Sequence, residues 1–211
     1  MNTPLVKICG LRRQEDLDCA AALGVDFCGF IFHPSSPRSI TPAAAAALDS
    51  RGMRRVGVFV GQDAAEIRNI MRVARLDMAQ LHGDQPPECA HALGAARIIR
   101  VLWPARYPGR TALEADMARH APDTTLFLLD AGEHGGGSGC TLSGAPLPGS
   151  AAPRSWLLAG GLTPDNVRHM LADCAGCGGV DMNSGLESAP GCKDHQKIRA
   201  AMAALRGLHH E

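Results

Sequence analysis

The chain has 211 residues, 45% of them hydrophobic and 20% charged, which is ordinary for one globular unit with a sizeable core. Lysine and arginine together number 21, as do aspartate and glutamate, so the formal net charge is zero. This excludes the broad basic footprint of a nucleic-acid or anionic-membrane protein; an anionic ligand must be held by local groups. From the N-terminus onward, short runs rich in Val, Ile, Leu and Phe alternate with Ala-rich helical patterns. Strands are predicted at 5–9, 27–32, 55–60, 77–82, 97–102, 125–130, 156–160 and 179–183. Helices are predicted between them at 13–23, 42–50, 63–75, 86–93, 111–120 and 164–171, with a last one from about 193 to 205. Thr41-Pro42 and Thr163-Pro164 are helix-start signals.

Eight strands separated by helices point to a closed parallel (β/α)8 TIM barrel in a single catalytic domain, residues 1–211. An open doubly wound sheet, the alternative, would need only five or six strands. The segment 131–155 holds seven glycines and three prolines, so the helix after strand six is expected to be short or missing. No run approaches the roughly 18 apolar residues that span a bilayer. The N-terminus lacks the charged start and apolar run of a secretory signal. A cytoplasmic chain is expected, without nucleic-acid or membrane partners, with its eight cysteines as free thiols.

In such barrels chemistry sits at the C-terminal strand ends. Gly160-Gly161 ends strand seven and Asn183-Ser184-Gly185 follows strand eight. Bare backbone N–H groups in those two loops suit a phosphate, although Gly-Gly alone also makes a tight turn. Alternation puts Leu5, Lys7 and Cys9 on one face of the first strand. A charged Lys7 belongs inside rather than among the helices, which aims Cys9 into the mouth. An ammonium below the thiol would favour the thiolate. Strand eight pairs with strand one in a closed barrel, so Asp181 is the expected ion-pair partner of Lys7, and its carboxylate would damp that effect. Asp181 as a catalytic group is the alternative.

Asp130 ends an almost wholly apolar strand, where desolvation favours a general acid; a loop-tethering role is the plainer reading. The glycines from Gly135 to Gly139 read as a lid or an additional phosphate donor. Arg38, in a proline-stiffened loop after strand two, suits a bidentate grip on a substrate carboxylate, a solvated arginine being the alternative. His82 lines the mouth and is placed with the substrate-contacting residues. Cys174-Ala175-Gly176-Cys177 closes a helix instead of opening one and has no second ligand pair, so neither a redox nor a zinc site is expected.

Val6-Lys7-Ile8-Cys9-Gly10, Gly29-Phe30-Ile31-Phe32 with Ser36-Pro37-Arg38, Gln80-Leu81-His82-Gly83 and Leu128-Leu129-Asp130 resemble phosphoribosylanthranilate isomerase. So do Leu158-Ala159-Gly160-Gly161-Leu162, Val180-Asp181-Met182-Asn183-Ser184-Gly185 and Gly191-Cys192-Lys193-Asp194, in order along nearly the whole chain. The resemblance implies a barrel enzyme of tryptophan biosynthesis that performs an Amadori rearrangement. It further implies Asp130 as acid, Cys9 as base, Arg38 on the anthranilate carboxylate and the last two loops on the phosphate. Cys140 stands where the family has lysine, and Asn183 where it commonly has serine. An aldose-to-ketose shift needs an acid, a base and an anchor but no electron carrier, so no cofactor and no metal are expected. The partner is a small phosphorylated substrate, and the chain is expected as a monomer or homodimer. The rival readings are a dual-substrate phosphoribosyl isomerase of histidine and tryptophan synthesis and a non-catalytic phosphosugar-binding barrel. A thiol sensor built on Cys174 and Cys177 is a third.

Overall fold

The computed structural model describes residues 3–131, 145–149 and 152–207. Eight parallel strands close on themselves in chain order: β1 Leu5–Ile8, β2 Phe27–Ile31, β3 Arg54–Phe59, β4 Met78–Leu81, β5 Ile98–Leu102, β6 Leu126–Asp130, β7 Trp156–Ala159 and β8 Gly179–Met182. The helices are α1 Gln14–Ala22, α2 Pro42–Ala47, α3 Ala64–Val73, α4 Pro87–Leu93, α5 Arg110–His120, α6 Val167–Ala172 and α7 His195–Arg206. Between β6 and β7 the described residues form no helix, and the glycines at 135–139 and Cys140 lie outside the described residues. Among the described residues no helix is long and apolar enough to cross a membrane.

Period-two alternation sorts the side chains into two cores. Phe27, Val56, Met78, Ile99, Leu126 and Leu157 fill the barrel interior. Ile8, Phe30, Phe59, Leu81, Phe127 and Leu158 face the helices. The seam is set by β1 against β8, with Lys7 opposite Asp181. Gly29 of β2 makes room at this level: a Cβ there would lie 2.9 Å from Cys9 Sγ and 3.1 Å from Lys7 Nζ.

Two helix starts differ from the sequence expectation by two residues or more. α6 begins at Val167 rather than Pro164, because the Asn166 side chain accepts from Thr163 N at 2.8 Å and donates to Gly161 O at 3.0 Å, holding 164–166 in a turn. The last helix begins at His195, with Asp194 capping Gln196 N at 2.8 Å. Lys193 instead belongs to a small antiparallel hairpin, β9 Glu187–Ala189 with β10 Cys192–Lys193, inserted after β8.

Candidate active site

A cavity of about 410 Å³ opens among the C-terminal strand ends. Cys9 faces it from just beyond β1 and Asp130 from the end of β6, so the two groups share one opening. Both are buried, Cys9 at 5% and Asp130 at 3% exposure. Gly160 and Gly161 line the cavity after β7, and Asn183, Ser184 and Gly185 line it after β8. These last two loops touch: a Cβ on Gly185 would lie 2.0 Å from Leu162 O. Gly160 has φ +96°, and a Cβ there would come within 2.5 Å of the Ala131 Cβ and 2.9 Å of Asp130 Oδ1. Only glycine lets the β6 and β7 ends approach this closely.

Beneath the opening, Lys7 is fully buried with Nζ 2.8 Å from Asp181 Oδ2. Burial disfavours the ammonium, yet the neighbouring Asp181 and Cys9 outweigh it and raise the Lys7 pKa. Asp181 Oδ1 has no hydrogen-bond partner among the described residues, and Asp181 lines the cavity. The thiol departs from the sequence expectation. Burial pushes the Cys9 pKa up, and Lys7 and Lys193 only partly oppose it. A desolvated thiolate costs more than the two buried lysines, each paired to a carboxylate, return. In the unliganded protein the thiol therefore keeps its proton at neutral pH.

His82, beyond the end of β4, lies 3.5 Å from Asp130 Oδ2 through Nε2, long for a hydrogen bond. Its Nδ1 is 3.2 Å from Gln80 Nε2. With the amide nitrogen as donor, Nδ1 accepts and a neutral ring carries its proton on Nε2. Burial, reinforced by Lys7, pulls the His82 pKa down to about 4. Neutral His82 thus presents an N–H toward Asp130.

Arg38 lines the cavity but is not a solvated loop residue. Its guanidinium is paired with Glu187, Nη2 to Oε2 at 2.7 Å, and its side chain is 13% exposed. Glu187 and its second partner Lys193 escape a sequence reading because they sit in strands of three and two residues, too short to show a period. Trp103 and Arg106 also line the cavity, the Arg106 guanidinium 4.1 Å over the indole and the His82 ring edge-on to it at 5.6 Å. Trp103 continues the inward alternation of Ile99 and Val101, a signal present in the sequence. Away from the mouth, Cys177 Sγ donates to Gly179 O at 3.0 Å, and burial pushes its pKa up to about 12. Among the described residues no cluster of His, Cys, Asp or Glu could hold a metal ion.

Residues 6–204 match the family model described as N-(5′phosphoribosyl)anthranilate (PRA) isomerase. An N-(5′-phosphoribosyl)anthranilate isomerase of Desulfovibrio desulfuricans is 56% identical over 199 residues, covering 94% of each chain. The crystal structure of phosphoribosyl anthranilate isomerase from Thermus thermophilus is similar with a TM-score of 0.80 and 37% identity, covering 97% of this chain and 99% of that one. Another solved isomerase of this name, in complex with reduced 1-(o-carboxyphenylamino)-1-deoxyribulose 5-phosphate, is similar with a TM-score of 0.77 and 30% identity, covering 97% and 99%. Taken with the closed barrel and its single mouth shared by thiol and carboxyl, these likenesses place the chain in one family: it belongs to the N-(5′-phosphoribosyl)anthranilate isomerases.

Proposed function

We propose that the chain, acting as one catalytic domain over residues 1–211, rearranges N-(5-phosphoribosyl)anthranilate to 1-(2-carboxyphenylamino)-1-deoxyribulose 5-phosphate in tryptophan biosynthesis. The observation that carries this reading is Cys9 and Asp130 facing one cavity, with Arg38 on its rim and the Gly160–Gly161 and Asn183–Gly185 loops also lining it. The two loops hold the phosphate and Arg38 the anthranilate carboxylate, so that binding at both ends positions the ribose between thiol and carboxyl.

Asp130 gives its proton to the ribose ring oxygen, and the C1′–O4′ bond breaks to leave a protonated Schiff base. Cys9, as thiolate, takes the proton from C2′, and the electron pair moves into the C1′–C2′ bond to form the enolamine. C1′ then gains the proton from Cys9 as O2′ loses one to Asp130, giving the ketone and restoring both groups. Burial that holds the thiol protonated in the free enzyme also makes its thiolate a strong base. The cationic Schiff base beside it favours deprotonation, the thiol releasing its proton to water before the C2′ step and regaining one after the product leaves. His82 donates from Nε2 toward the Asp130 carboxylate left after the first proton transfer. A small phosphorylated substrate, a monomer or homodimer and a cytoplasmic setting complete the proposal.

The test is conversion of N-(5-phosphoribosyl)anthranilate followed by loss of anthranilate fluorescence, with a chelator present throughout. Turnover is expected to survive chelation, and Cys9→Ala or Asp130→Ala to lower kcat by at least ~100-fold with folding intact. A fully active Cys9→Ala protein would remove the thiol as base. Comparable turnover of the aminoimidazole substrate of histidine synthesis would favour the dual-substrate isomerase instead.

A further inference from the structure

Arg38 does not stand alone at the mouth. Its Nε lies 2.9 and 3.0 Å from Glu187 Oε1 and Oε2, and its Nη2 lies 2.7 Å from Oε2. Glu187 therefore occupies the side edge of the guanidinium, formed by Nε and Nη2. A guanidinium carries five N–H groups. One hydrogen of Nη1 and the second of Nη2 make up the end-on edge, which Glu187 does not use and which can take another carboxylate bidentately.

Glu187 is held in turn. Its Oε1 accepts from Lys193 Nζ at 2.9 Å and from Gly191 N at 3.2 Å. Lys193 Nζ also donates to Asn183 O at 3.0 Å and Asn183 Oδ1 at 2.8 Å. Three acceptors require three N–H groups, so Lys193 is an ammonium. Its side chain is wholly buried and that of Glu187 is 4% exposed. Arg38 and Asn183 line the cavity, whereas neither Glu187 nor Lys193 does.

The charges add up to a purpose. Arg38 and Glu187 alone would present a neutral pair to an incoming carboxylate, with an anion directly behind the cation. Lys193 restores one net positive charge to the cluster. Hydrogen bonds from Arg38 and Lys193 overcome the effect of burial and keep the Glu187 pKa below its ordinary value, so the carboxylate stays charged.

We propose that Glu187 and Lys193 are positioning residues that recognise the aromatic carboxylate of the substrate through Arg38, Glu187 fixing the guanidinium plane and Lys193 supplying the charge that offsets Glu187. The inference rests on Arg38 holding that carboxylate, as proposed above.

Two probes separate this role from a merely structural one: reduced 1-(o-carboxyphenylamino)-1-deoxyribulose 5-phosphate, and the same compound without its carboxyl group. Glu187→Gln should weaken the carboxylated probe about tenfold and leave the other within about twofold. Lys193→Met, which also releases Asn183 of the phosphate loop, should weaken both, the carboxylated probe about tenfold more. In turnover, KM should rise more than kcat falls. Glu187→Asp, which keeps the charge but retracts it, should give a smaller loss of the same kind and carries the test if the other variants do not fold. Equal weakening of both probes, or of neither, overturns the proposal. Arg38→Met is the reference. If it discriminates between the probes and the Glu187 variants do not, the positioning role falls alone. If it fails to discriminate, the assignment of Arg38 falls with it.

Discussion

His82 makes stability depend on pH in a way that a single substitution can isolate. Its pKa is about 4 in the folded protein against the ordinary 6.5, and its side chain is 13% exposed. The unfolded chain therefore binds a proton between these values that the folded protein refuses. Stability from this group is complete above pH 6.5 and is lost as pH falls toward 4. Comparing the proton-binding polynomials at pH 7 and pH 5 gives a loss of about 2 kcal/mol from His82 alone. His82→Gln removes the titration and keeps a side chain able to donate. Carboxylates titrate in both proteins and largely drop out of the difference. Urea unfolding at the two pH values, at one ionic strength, should show the wild type losing about 2 kcal/mol more than the variant. Equal losses would refute the reasoning, as would an imidazole NMR titration with its midpoint near 6.5.

Lys7→Met should destabilise the fold by roughly 3–5 kcal/mol in urea unfolding, because it strands the buried Asp181 carboxylate. Lys7→Met with Asp181→Asn should cost less, and additive losses would show that the two groups do not interact. Gly160→Ala forces a side chain into φ +96° and against Ala131. It should cost about 1–3 kcal/mol in thermal unfolding and raise KM, whereas unchanged stability would contradict the close approach of β6 and β7. Cys174→Ser with Cys177→Ser should leave kcat/KM unchanged and metal content nil; stoichiometric zinc in the purified wild-type protein would refute this.

Much of the architecture was legible because barrel strands obey a period of two. β4 was expected at 77–82 and is Met78–Leu81; β5 was expected at 97–102 and is Ile98–Leu102. The same alternation, joined to the rule that the last strand pairs with the first, is enough to put Lys7 opposite Asp181, as the barrel has it. The Glu187–Lys193 pair was not legible. Its partners lie in a hairpin too short for periodicity, and its link to Arg38 spans 149 residues. The protonation of Cys9 was misread for a different reason. Sequence reveals that an ammonium is near, but the opposing desolvation depends on how completely the thiol is enclosed. The α6 start was misplaced because a proline signals only where a helix can begin, and an asparagine side chain delayed it.

The ion pair beneath the mouth joins residues 174 positions apart. A growing polypeptide thus emerges from the ribosome with its lysine made well before its counter-charge. Until then the first strand has only one of its two neighbours, and enclosing that ammonium would be costly. Synthesis of β8 therefore both closes the sheet and permits the cation to leave water. Shortened chains that end before Asp181 should accumulate with an open seam, available to a chaperone or to another unfinished copy.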